Sequence, residues 1–292
     1  MQKHETFDLM VHATPELEAA LGETVIDRRH VRSWPLSAVE QLTTASGVRW
    51  IYKAQRTPTF EPDFYESVSS PLLPASRLLT RDAVYSTMLF EFVDAPLIGD
   101  MTLTEDDLAR HGRALVDAIG IIDAAVPVYV DISTQTLWRA FAQSTLGMLS
   151  ELVANQRLTI NAAPGYADDV EKWAGSADID RLIGRTSRLT HGDLNPGNVF
   201  VAGDGYRIID WQRPQLAPAD VDFIALLEKG PLQGTSQLFR HAPPAAVGVF
   251  YFLRLYWAVE AKTNLLPKAP GVFDRWATEA IGFIRQASKA AA

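Results

Sequence analysis

The sequence predicts an α+β protein with two lobes, a small β-rich lobe with one helix over residues 1–95 and a larger, mainly helical lobe over residues 96–292. Two features of the chain carry this prediction. Between Val25 and Val93 the chain is rich in β-branched and aromatic residues bounded by Gly and Pro, which is typical of strands. After Pro96 apolar residues recur at helical spacing. The 292 residues supply ample apolar material for such a core.

The first lobe begins with a short helix. Thr14 precedes Pro15, and the helical run ends at Gly22, which is the arrangement of a capped helix with proline in its first turn. Two later segments are predicted strands, and the segment between them is a predicted short helix that ends at Pro71. In chain order the first strand, the helix and the second strand are "GVRWIYKAQ", "EPDFYESVSSPLLP" and "STMLFEFVDAP".

The second lobe begins with amphipathic helices. Thr104 precedes the first, "EDDLARHGRALVDAIGII". The segment "YADDVEKWAG" is a third predicted helix. The apolar positions at helical spacing are Leu108, Leu115, Ile119 and Ile122 in the first helix, and Leu137, Phe141, Met148 and Leu152 in the second.

A β-hairpin interrupts the helices. In "NVFVAGDGYRIIDW" two short apolar runs flank Asp204 and Gly205, and a type I′ turn needs the positive φ angles that Asp-Gly adopts easily. Helices are predicted again from Asp222 to the C-terminus.

Composition excludes several classes of function. The net charge of −8 argues against a general nucleic-acid-binding protein, which usually carries a basic face. The chain has no cysteine, which excludes disulfides, thiol chemistry and cysteine-based zinc sites. There is no secretory signal pattern. The most apolar stretch, "AAVGVFYFLRLYWAV", is too short to span a bilayer and contains Arg254, so we predict that it is a buried helix. We therefore expect a cytoplasmic protein without nucleic-acid or membrane partners, and the sequence does not predict its oligomeric state.

One loop carries the candidate chemistry. The segment "HGDLNPGNVF" places Asp193 five residues before Asn198, and the hairpin that follows is succeeded by Asp210. Phosphoryl transfer to a hydroxyl needs a carboxylate that orients the acceptor and accepts its proton, together with oxygen ligands that hold Mg²⁺ against the nucleotide phosphates. The pattern therefore indicates Asp193 as the base and Asn198 and Asp210 as the magnesium ligands.

The same residues carry a family resemblance. "HGDLNPGNVFV" together with "YRIIDWQRP" resembles the aminoglycoside phosphotransferase and choline kinase superfamily, whose members share a bilobal protein-kinase-like fold. Gly192, where protein kinases have arginine, favours the aminoglycoside phosphotransferase side. The resemblance implies the same roles for the three loop and hairpin residues, and it implies that His191 braces the loop. Asp222 either supports the catalytic loop or is an ordinary helix N-cap.

The resemblance also implies nucleotide-binding residues upstream. Lys53, in the strand "WIYKAQ", would hold the nucleotide phosphates and pair with Glu61, for which Glu66 is the alternative. In "LFEFVDAP" the backbone of Glu91 and Val93 would contact the base of ATP, or of GTP, since the sequence does not predict which base is preferred.

The loop expected to cover the phosphates is poor in glycine. The segment "PLSAVEQLTTASG" contains only Gly47, which lies in the predicted turn before the lysine strand. Ser37 and backbone amides are the groups left to contact the phosphates there.

Three functions remain open. The first is an ATP-dependent small-molecule kinase, the second a catalytically silent, kinase-like nucleotide-binding or scaffolding protein, and the third a hydrolase. The chain retains the whole kinase set, which favours the first, and no nucleophile-elbow or metal-ligand spacing supports the third; the set is Lys53, Asp193, Asn198 and Asp210. The expected acceptor is a small hydroxyl-bearing molecule. An aminoglycoside or related amino sugar leads, and other sugars, choline, homoserine and macrolides are alternatives on this scaffold.

Overall fold

The computed structural model describes residues 1–122, 125–203, 205–230, 235–269 and 271–291. The chain forms two compact units. Unit 1 contains Met1–Met101, Ala125–Tyr129 and Gly197–Arg213, and unit 2 contains Thr102–Ala124, Val130–Pro196 and Pro214–Ala292. The predicted lobes of residues 1–95 and 96–292 stay a prediction, because units defined by packing need not coincide with lobes defined by ligand binding.

Strands dominate the first hundred residues and helices dominate the rest, which confirms the predicted α+β class. In chain order the elements are β1 (Gln2–Lys3), β2 (Met10–Val11), α1 (Thr14–Leu21), β3 (Val25–Trp34), β4 (Ser37–Thr44), β5 (Arg49–Arg56), α2 (Glu61–Ser67), β6 (Ser76–Arg81), β7 (Tyr85–Glu91), α3 (Glu105–Ile119), β8 (Val130–Asp131), α4 (Gln135–Ala154), α5 (Tyr166–Ala174), α6 (Ala177–Thr186), β9 (Ser187–Thr190), β10 (Val199–Ala202), β11 (Gly205–Ile208), β12 (Gln215–Pro218), α7 (Asp220–Glu228), α8 (Thr235–Leu238), α9 (Pro244–Glu260) and α10 (Val272–Ala290).

An antiparallel sheet with the strand order β3-β4-β5-β7-β6 forms the body of unit 1. Successive side chains of a strand point to opposite faces, so in the central strand β5 Tyr52 and Ala54 face one side while Lys53 and Gln55 face the other. A buried apolar cluster that includes a residue of α1 covers the first side. Each large apolar side chain buried there contributes roughly 1.5–3 kcal/mol, so the cluster fixes the strand that carries Lys53. Its members are Val11, Leu17, Leu42, Tyr52, Ala54 and Leu89.

The two helices predicted for this unit are present. α1 ends at Gly22, whose φ of 74° lies in the left-handed region and whose N–H donates to the carbonyl of Glu18. α2 ends at Ser67, four residues before the predicted stop at Pro71. The shorter α2 carries Glu61 and Pro62 in its first turn, where proline is tolerated because its missing N–H would have no helical partner.

The predicted hairpin is also present, and it belongs to unit 1. β10 and β11 pair antiparallel, while Asp204 lies outside the described residues. The Ile208 N–H donates to the Leu72 carbonyl over 2.7 Å, and Phe200 forms an isolated bridge with Leu97. These contacts attach the segment between Asn198 and Asp210 to the sheet unit rather than to the helical one.

Helix α9 is the centre of unit 2. It is buried along most of its length, which confirms the prediction of a buried helix for the most apolar stretch of the chain. Arg254 is a charged residue within this helix, and its Nη1 donates to Glu228 Oε1 over 2.5 Å. Within the described ranges no helix combines the length and apolar character needed to cross a bilayer.

Two predicted helical faces differ from those observed. α3 ends at Ile119, so the predicted position Ile122 lies beyond the helix. In α4 the buried face contains Trp138, whereas the predicted Leu137 is 41% exposed. Apolar residues occupy both faces of this helix in the sequence, and the face with the larger tryptophan surface is the one that is buried.

A three-stranded sheet in unit 2 was not predicted, because its strands have only two to four residues. β12 lies between β8 and β9, and Gln215 pairs with Thr190 in the antiparallel ladder. The Thr190 hydroxyl donates to the Gln215 carbonyl over 3.3 Å. The sheet therefore anchors the chain immediately before the loop that contains Asp193.

Candidate active site

Lys53, Glu61 and Asp210 form a charged cluster within unit 1. Lys53 Nζ lies 2.6 Å from Glu61 Oε2 and 2.5 Å from Asp210 Oδ1. The side chains of Lys53 and Glu61 are 8% and 1% exposed, whereas that of Asp210 is 30% exposed. The cluster has one positive and two negative groups, and its excess negative charge is accessible through Asp210.

Glu61, rather than Glu66, is the acid that contacts the strand lysine. Glu66 lies on the exposed side of α2, where its Oε2 is 3.3 Å from Nη1 of Arg81. Glu61 is the first residue of the helix and is fully enclosed. Of the two acids that the sequence left open, Glu61 is therefore the one in contact with Lys53.

Burial and neighbouring charges shift the pKa values of Lys53 and Glu61 in opposite directions. Burial opposes the charged form of Lys53, but the Asp210 and Glu61 carboxylates outweigh it and raise the pKa of the lysine, which therefore stays cationic at neutral pH. Burial raises the pKa of Glu61, while the charge of Lys53 acts against that rise. Burial, followed by the nearby Glu61 and Asp210 carboxylates, raises the pKa of the Tyr65 phenol well above its usual value.

Asn198 and Asp210 flank the hairpin at its open end. Asn198 is 7% exposed and immediately precedes β10, and its carbonyl accepts the Ile209 N–H over 3.0 Å. Asp210 follows β11 with a φ of 71°. An amide oxygen and a carboxylate suit Mg²⁺, which takes few protein ligands and keeps bonds to phosphates and water. Among the described residues no group of three or more His, Cys, Asp or Glu side chains could hold a metal, so these two would have to share it with a ligand.

Helix α2 is tied to the segment after Asp210 by stacking and hydrogen bonding. The rings of Phe64 and Trp211 stack with centroids 4.2 Å apart and an interplanar angle of 10°. Trp211 Nε1 donates to the Ile208 carbonyl over 3.1 Å, which fixes the indole. The Phe60 N–H donates to the Gln212 carbonyl over 3.0 Å. One stacked ring pair and one backbone hydrogen bond therefore connect the helix that carries Glu61 with the segment that carries Asp210.

Gln55 is a site residue that the sequence reasoning missed. It is 1% exposed and lies on the same face of β5 as Lys53, two residues further along. Its Oε1 accepts hydrogen bonds from Thr59 Oγ1 over 3.2 Å and from Gln212 Nε2 over 3.3 Å. Its spacing from the lysine was the available signal, because side chains two apart on a strand share a face.

In unit 2 the Asp222 carboxylate holds the backbone of the loop that contains Asp193. Oδ2 accepts the His191 N–H over 2.6 Å, and Oδ1 accepts the Gly192 N–H over 3.1 Å. Burial raises the pKa of Asp222 to about 6, although the charge of His191 and the two N–H groups act in the other direction. Gly192 has a φ of 82°, which explains glycine at this position, since most residues are strained there. His191 Nδ1 accepts the Asp193 N–H over 3.2 Å, which is the bracing contact expected of it.

Asp193 contacts a lysine that the sequence did not indicate. Lys229 Nζ lies 2.6 Å from Asp193 Oδ1, and the two side chains are 40% and 48% exposed. Asn195 Nδ2 donates to the Asp193 carbonyl over 3.1 Å and to its Oδ2 over 3.4 Å. Lys229 is 36 residues away in sequence and follows a helix, so no local spacing linked it to the loop.

The remaining predicted residues also lie in unit 1. Glu91 ends β7, and its N–H donates to the Ala75 carbonyl over 2.9 Å, while Val93 follows two residues later. Ser37 begins β4 and is buried. Only Pro35 and Leu36 connect β3 with β4, so the hairpin expected to cover the phosphates has a tight turn without glycine.

The structure thus brings Lys53, Glu61 and Asp210 into contact and places Asn198 on the adjoining hairpin, all within unit 1. Asp193 lies in unit 2, and four residues of chain separate it from Asn198.

The chain is similar in sequence to one family and in structure to several of its members. Residues 49–253 match the model of the phosphotransferase enzyme family. No sequence among the curated proteins is significantly similar to this chain. A thermostable mutant of aminoglycoside phosphotransferase APH(4)-Ia, solved with ADP and hygromycin B, superposes with a TM-score of 0.63 at 13% identity, covering 95% of this chain and 99% of that one.

Two further solved structures have the same fold at similarly low identity. Macrolide 2'-phosphotransferase MphH from Brachybacterium faecium has a TM-score of 0.60 at 16% identity, covering 91% of this chain and 95% of that one. A choline/ethanolamine kinase family protein from Mesorhizobium loti has a TM-score of 0.57 at 16% identity, covering 90% of this chain and 88% of that one. At this level of identity the likeness establishes the protein-kinase-like fold.

Proposed function

Because the chain belongs to the phosphotransferase enzyme family, we propose that it is an ATP-dependent kinase that transfers the γ-phosphoryl group to a hydroxyl of a small molecule. One observation carries this proposal. Lys53, far from Asp210 in sequence, has its ammonium within 2.6 Å of both Glu61 and Asp210 carboxylates, the arrangement of a phosphate-binding lysine beside a metal-binding acid.

On the nucleotide side, Lys53 would bind phosphate oxygens while Glu61 holds its ammonium in place. Asn198 and Asp210 would hold Mg²⁺, which when bound neutralises charge on the phosphates. The negative excess of the cluster supports this, because the accessible carboxylate is the one expected to hold the metal. The base of ATP, or of GTP, would contact the chain backbone near Glu91 and Val93.

On the acceptor side, Asp193 would orient the hydroxyl and accept its proton. The acceptor oxygen forms the new bond to the γ-phosphorus, the bond to the β,γ-bridging oxygen breaks, and ADP leaves. The two backbone hydrogen bonds to Asp222 support this role, because they fix the loop from which Asp193 projects. A base held in place in this way contributes about 10²–10⁴-fold to the rate.

The charges around Asp193 bear on the acceptor. Asp193 is paired with Lys229, and Glu228 is paired with Arg254. Asp222 is buried and engaged by the loop backbone, so it is committed to structure rather than to a ligand. These three acids are therefore compensated. The expectation of an aminoglycoside acceptor stays a prediction, and its support is the family resemblance rather than local charge.

The decisive experiment is an ATP-consumption screen with Mg²⁺ over amino sugars, neutral sugars, amino alcohols and macrolides. We expect turnover of one acceptor class, with the phosphate found on a hydroxyl. Each amino sugar is tested beside a neutral sugar of the same ring size, which separates recognition of charge from recognition of shape.

The screen also distinguishes the remaining alternative, a nucleotide-binding protein without catalysis. Tight binding of Mg-nucleotide with no turnover in any class would support that alternative. Absence of any nucleotide binding, measured by calorimetry, would contradict the kinase proposal itself.

A further inference from the structure

Gln55 lies where three segments of unit 1 meet. Its own strand carries Lys53, and its Oε1 accepts from Thr59, two residues before Glu61, and from Gln212, two residues after Asp210. The stacking and backbone contacts described above join α2 to the segment after Asp210. Gln55 joins both of them to β5.

We propose that Gln55 is a positioning residue whose amide holds Lys53, Glu61 and Asp210 in one arrangement before nucleotide binds. This inference rests on the proposed function, because the arrangement matters for binding nucleotide with Mg²⁺.

The charge balance of the cluster explains why such a residue is needed. Glu61 and Asp210 approach one lysine from two different segments, and like charges at such short range repel one another. A cationic side chain in place of Gln55 would have to be desolvated, and it would cancel the excess negative charge that suits a divalent metal. A neutral amide holds both segments and leaves the charge of the cluster unchanged.

The surroundings of Gln55 show that its amide is engaged at both ends. Its Nε2 lies 4.0 Å from the sulfur of Met88, a weak acceptor. Thr59 Oγ1 in turn accepts the Glu61 N–H over 3.3 Å, so the amide is linked to the first turn of α2 through one hydroxyl. A buried amide that lost these partners would leave polar groups unsatisfied.

The test is a double-mutant cycle on the full-length protein with Gln55→Met and Gln212→Met. Methionine keeps the length and approximate volume of glutamine and removes its hydrogen bonds. The matched control is Gln41→Met on the neighbouring strand β4, because the Gln41 amide accepts its hydrogen bond from the exposed side chain of Arg29. Dissociation constants for ADP are measured by calorimetry with and without Mg²⁺, beside thermal unfolding.

Gln55→Met should weaken MgADP binding about tenfold, the effect of roughly one buried hydrogen bond. Gln212→Met should weaken it less, because it removes only one of the two hydrogen bonds that Gln55 Oε1 accepts. The double variant should be no weaker than Gln55→Met, because that variant already lacks the contact with Gln212. The dissociation constant for ADP without metal should change by less than about threefold. Gln41→Met should have the same dissociation constants as wild type. A lower melting temperature with unchanged MgADP affinity would show a purely structural role and overturn the proposal.

Crystal structures of the nucleotide-free wild type and Gln55→Met keep the two proposals separable. The variant should lose at least one of the Lys53 contacts with Glu61 and Asp210. Retention of both contacts at their wild-type distances would overturn the positioning role, whatever the calorimetry shows. A wild type that binds no nucleotide would defeat the proposed function, and the crystallographic comparison would still decide the role of Gln55.

Discussion

Two lysine–carboxylate contacts, one in each unit, differ in almost everything except distance. Lys53 meets Glu61 at 2.6 Å in an enclosed, hydrogen-bonded setting, and Lys229 meets Asp193 at 2.6 Å with both side chains substantially exposed. Breaking a buried pair leaves a desolvated charge, whereas an exposed pair contributes about 0–1 kcal/mol and exchanges readily with water.

This contrast indicates that the proposed nucleotide site is preorganised, whereas the proposed acceptor site is not. If the proposed function holds, the nucleotide phosphates are the same in every reaction of the family, and a rigid site for them gains from being preorganised. Proteins of this fold bind unlike molecules: one was solved with ADP and hygromycin B, and another is a macrolide 2'-phosphotransferase. A carboxylate with an exposed side chain, such as that of Asp193, would tolerate such variety even though its loop backbone is held. The following substitutions test this contrast, in order of expected effect.

The largest effect is expected from Asp210→Asn. The change preserves size and the left-handed backbone but removes the carboxylate that we assign to Mg²⁺. A metal clamp supplies several kcal/mol of transition-state stabilisation, so turnover should fall by more than about 10³-fold. Calorimetry should show weakened MgADP binding, and an unchanged Mg²⁺-dependent affinity would remove Asp210 from the metal site.

Asp193→Asn should be nearly as damaging to turnover but should spare nucleotide binding. The acceptor hydroxyl loses the group that takes its proton, which reduces turnover by about 10²–10⁴-fold. The MgADP dissociation constant should stay within about twofold of wild type. Near-normal turnover would show that Asp193 is not the base, and lost nucleotide affinity would show that the two units are not functionally separate.

Glu61→Gln should act on stability and nucleotide binding together. Lys53 keeps Asp210 as a partner, so we expect a loss of about 1–3 kcal/mol in the free energy of unfolding rather than the full effect of an isolated buried charge. The matched control is Glu66→Gln on the same helix, which removes only the exposed contact with Arg81 and should change stability by less than about 0.5 kcal/mol. Urea denaturation measures the free energy of unfolding of both variants. Equal losses would contradict the expectation that only Glu61 is important for stability.

The smallest effect is expected from Lys229→Met. Removing an exposed partner of Asp193 should alter stability by less than about 0.5 kcal/mol and turnover by less than about tenfold. The variant should gain relative kcat/KM for cationic acceptors over neutral ones, because the lysine no longer offsets the negative charge of the Asp193 carboxylate. Lys172→Met, an exposed lysine of α5, is the control. If turnover fell as much as in Asp193→Asn, and equally for all acceptors, Lys229 would instead be assigned to the transferred phosphoryl group.

The sequence was informative wherever a local pattern determines structure. The hairpin, the capped helix α1 and the buried helix α9 follow from turn chemistry, proline and glycine placement, and apolar runs, and all three are present. The short strands β8, β9 and β12 were missed because too few side chains alternate in them and, unlike β10 and β11, they are not joined by an Asp-Gly turn. The face of α4 was assigned one residue away, since Leu137 and Trp138 are both apolar and only packing decides between them.

The candidate site shows the same limit. The spacing of Asp193, Asn198 and Asp210 could be read directly because the three lie within one loop and hairpin. Lys229 and Gln212 could not, since their partners Asp193 and Gln55 are 36 and 157 residues away. Contacts of that kind arise from the folding of the chain as a whole and leave no periodic trace.

The backbone at Asp210 has a consequence for how this protein can evolve. Its φ of 71° is a conformation that costs most L-residues about 1–2 kcal/mol, and glycine, asparagine and aspartate adopt it most readily. Glycine and asparagine satisfy the conformation without the charge, and glutamate supplies the charge with a longer, less tolerant side chain. We therefore expect the position to be a bottleneck on mutational paths. A lineage that loses this aspartate would keep the fold while losing the reaction, and only reversion would restore it in a single step.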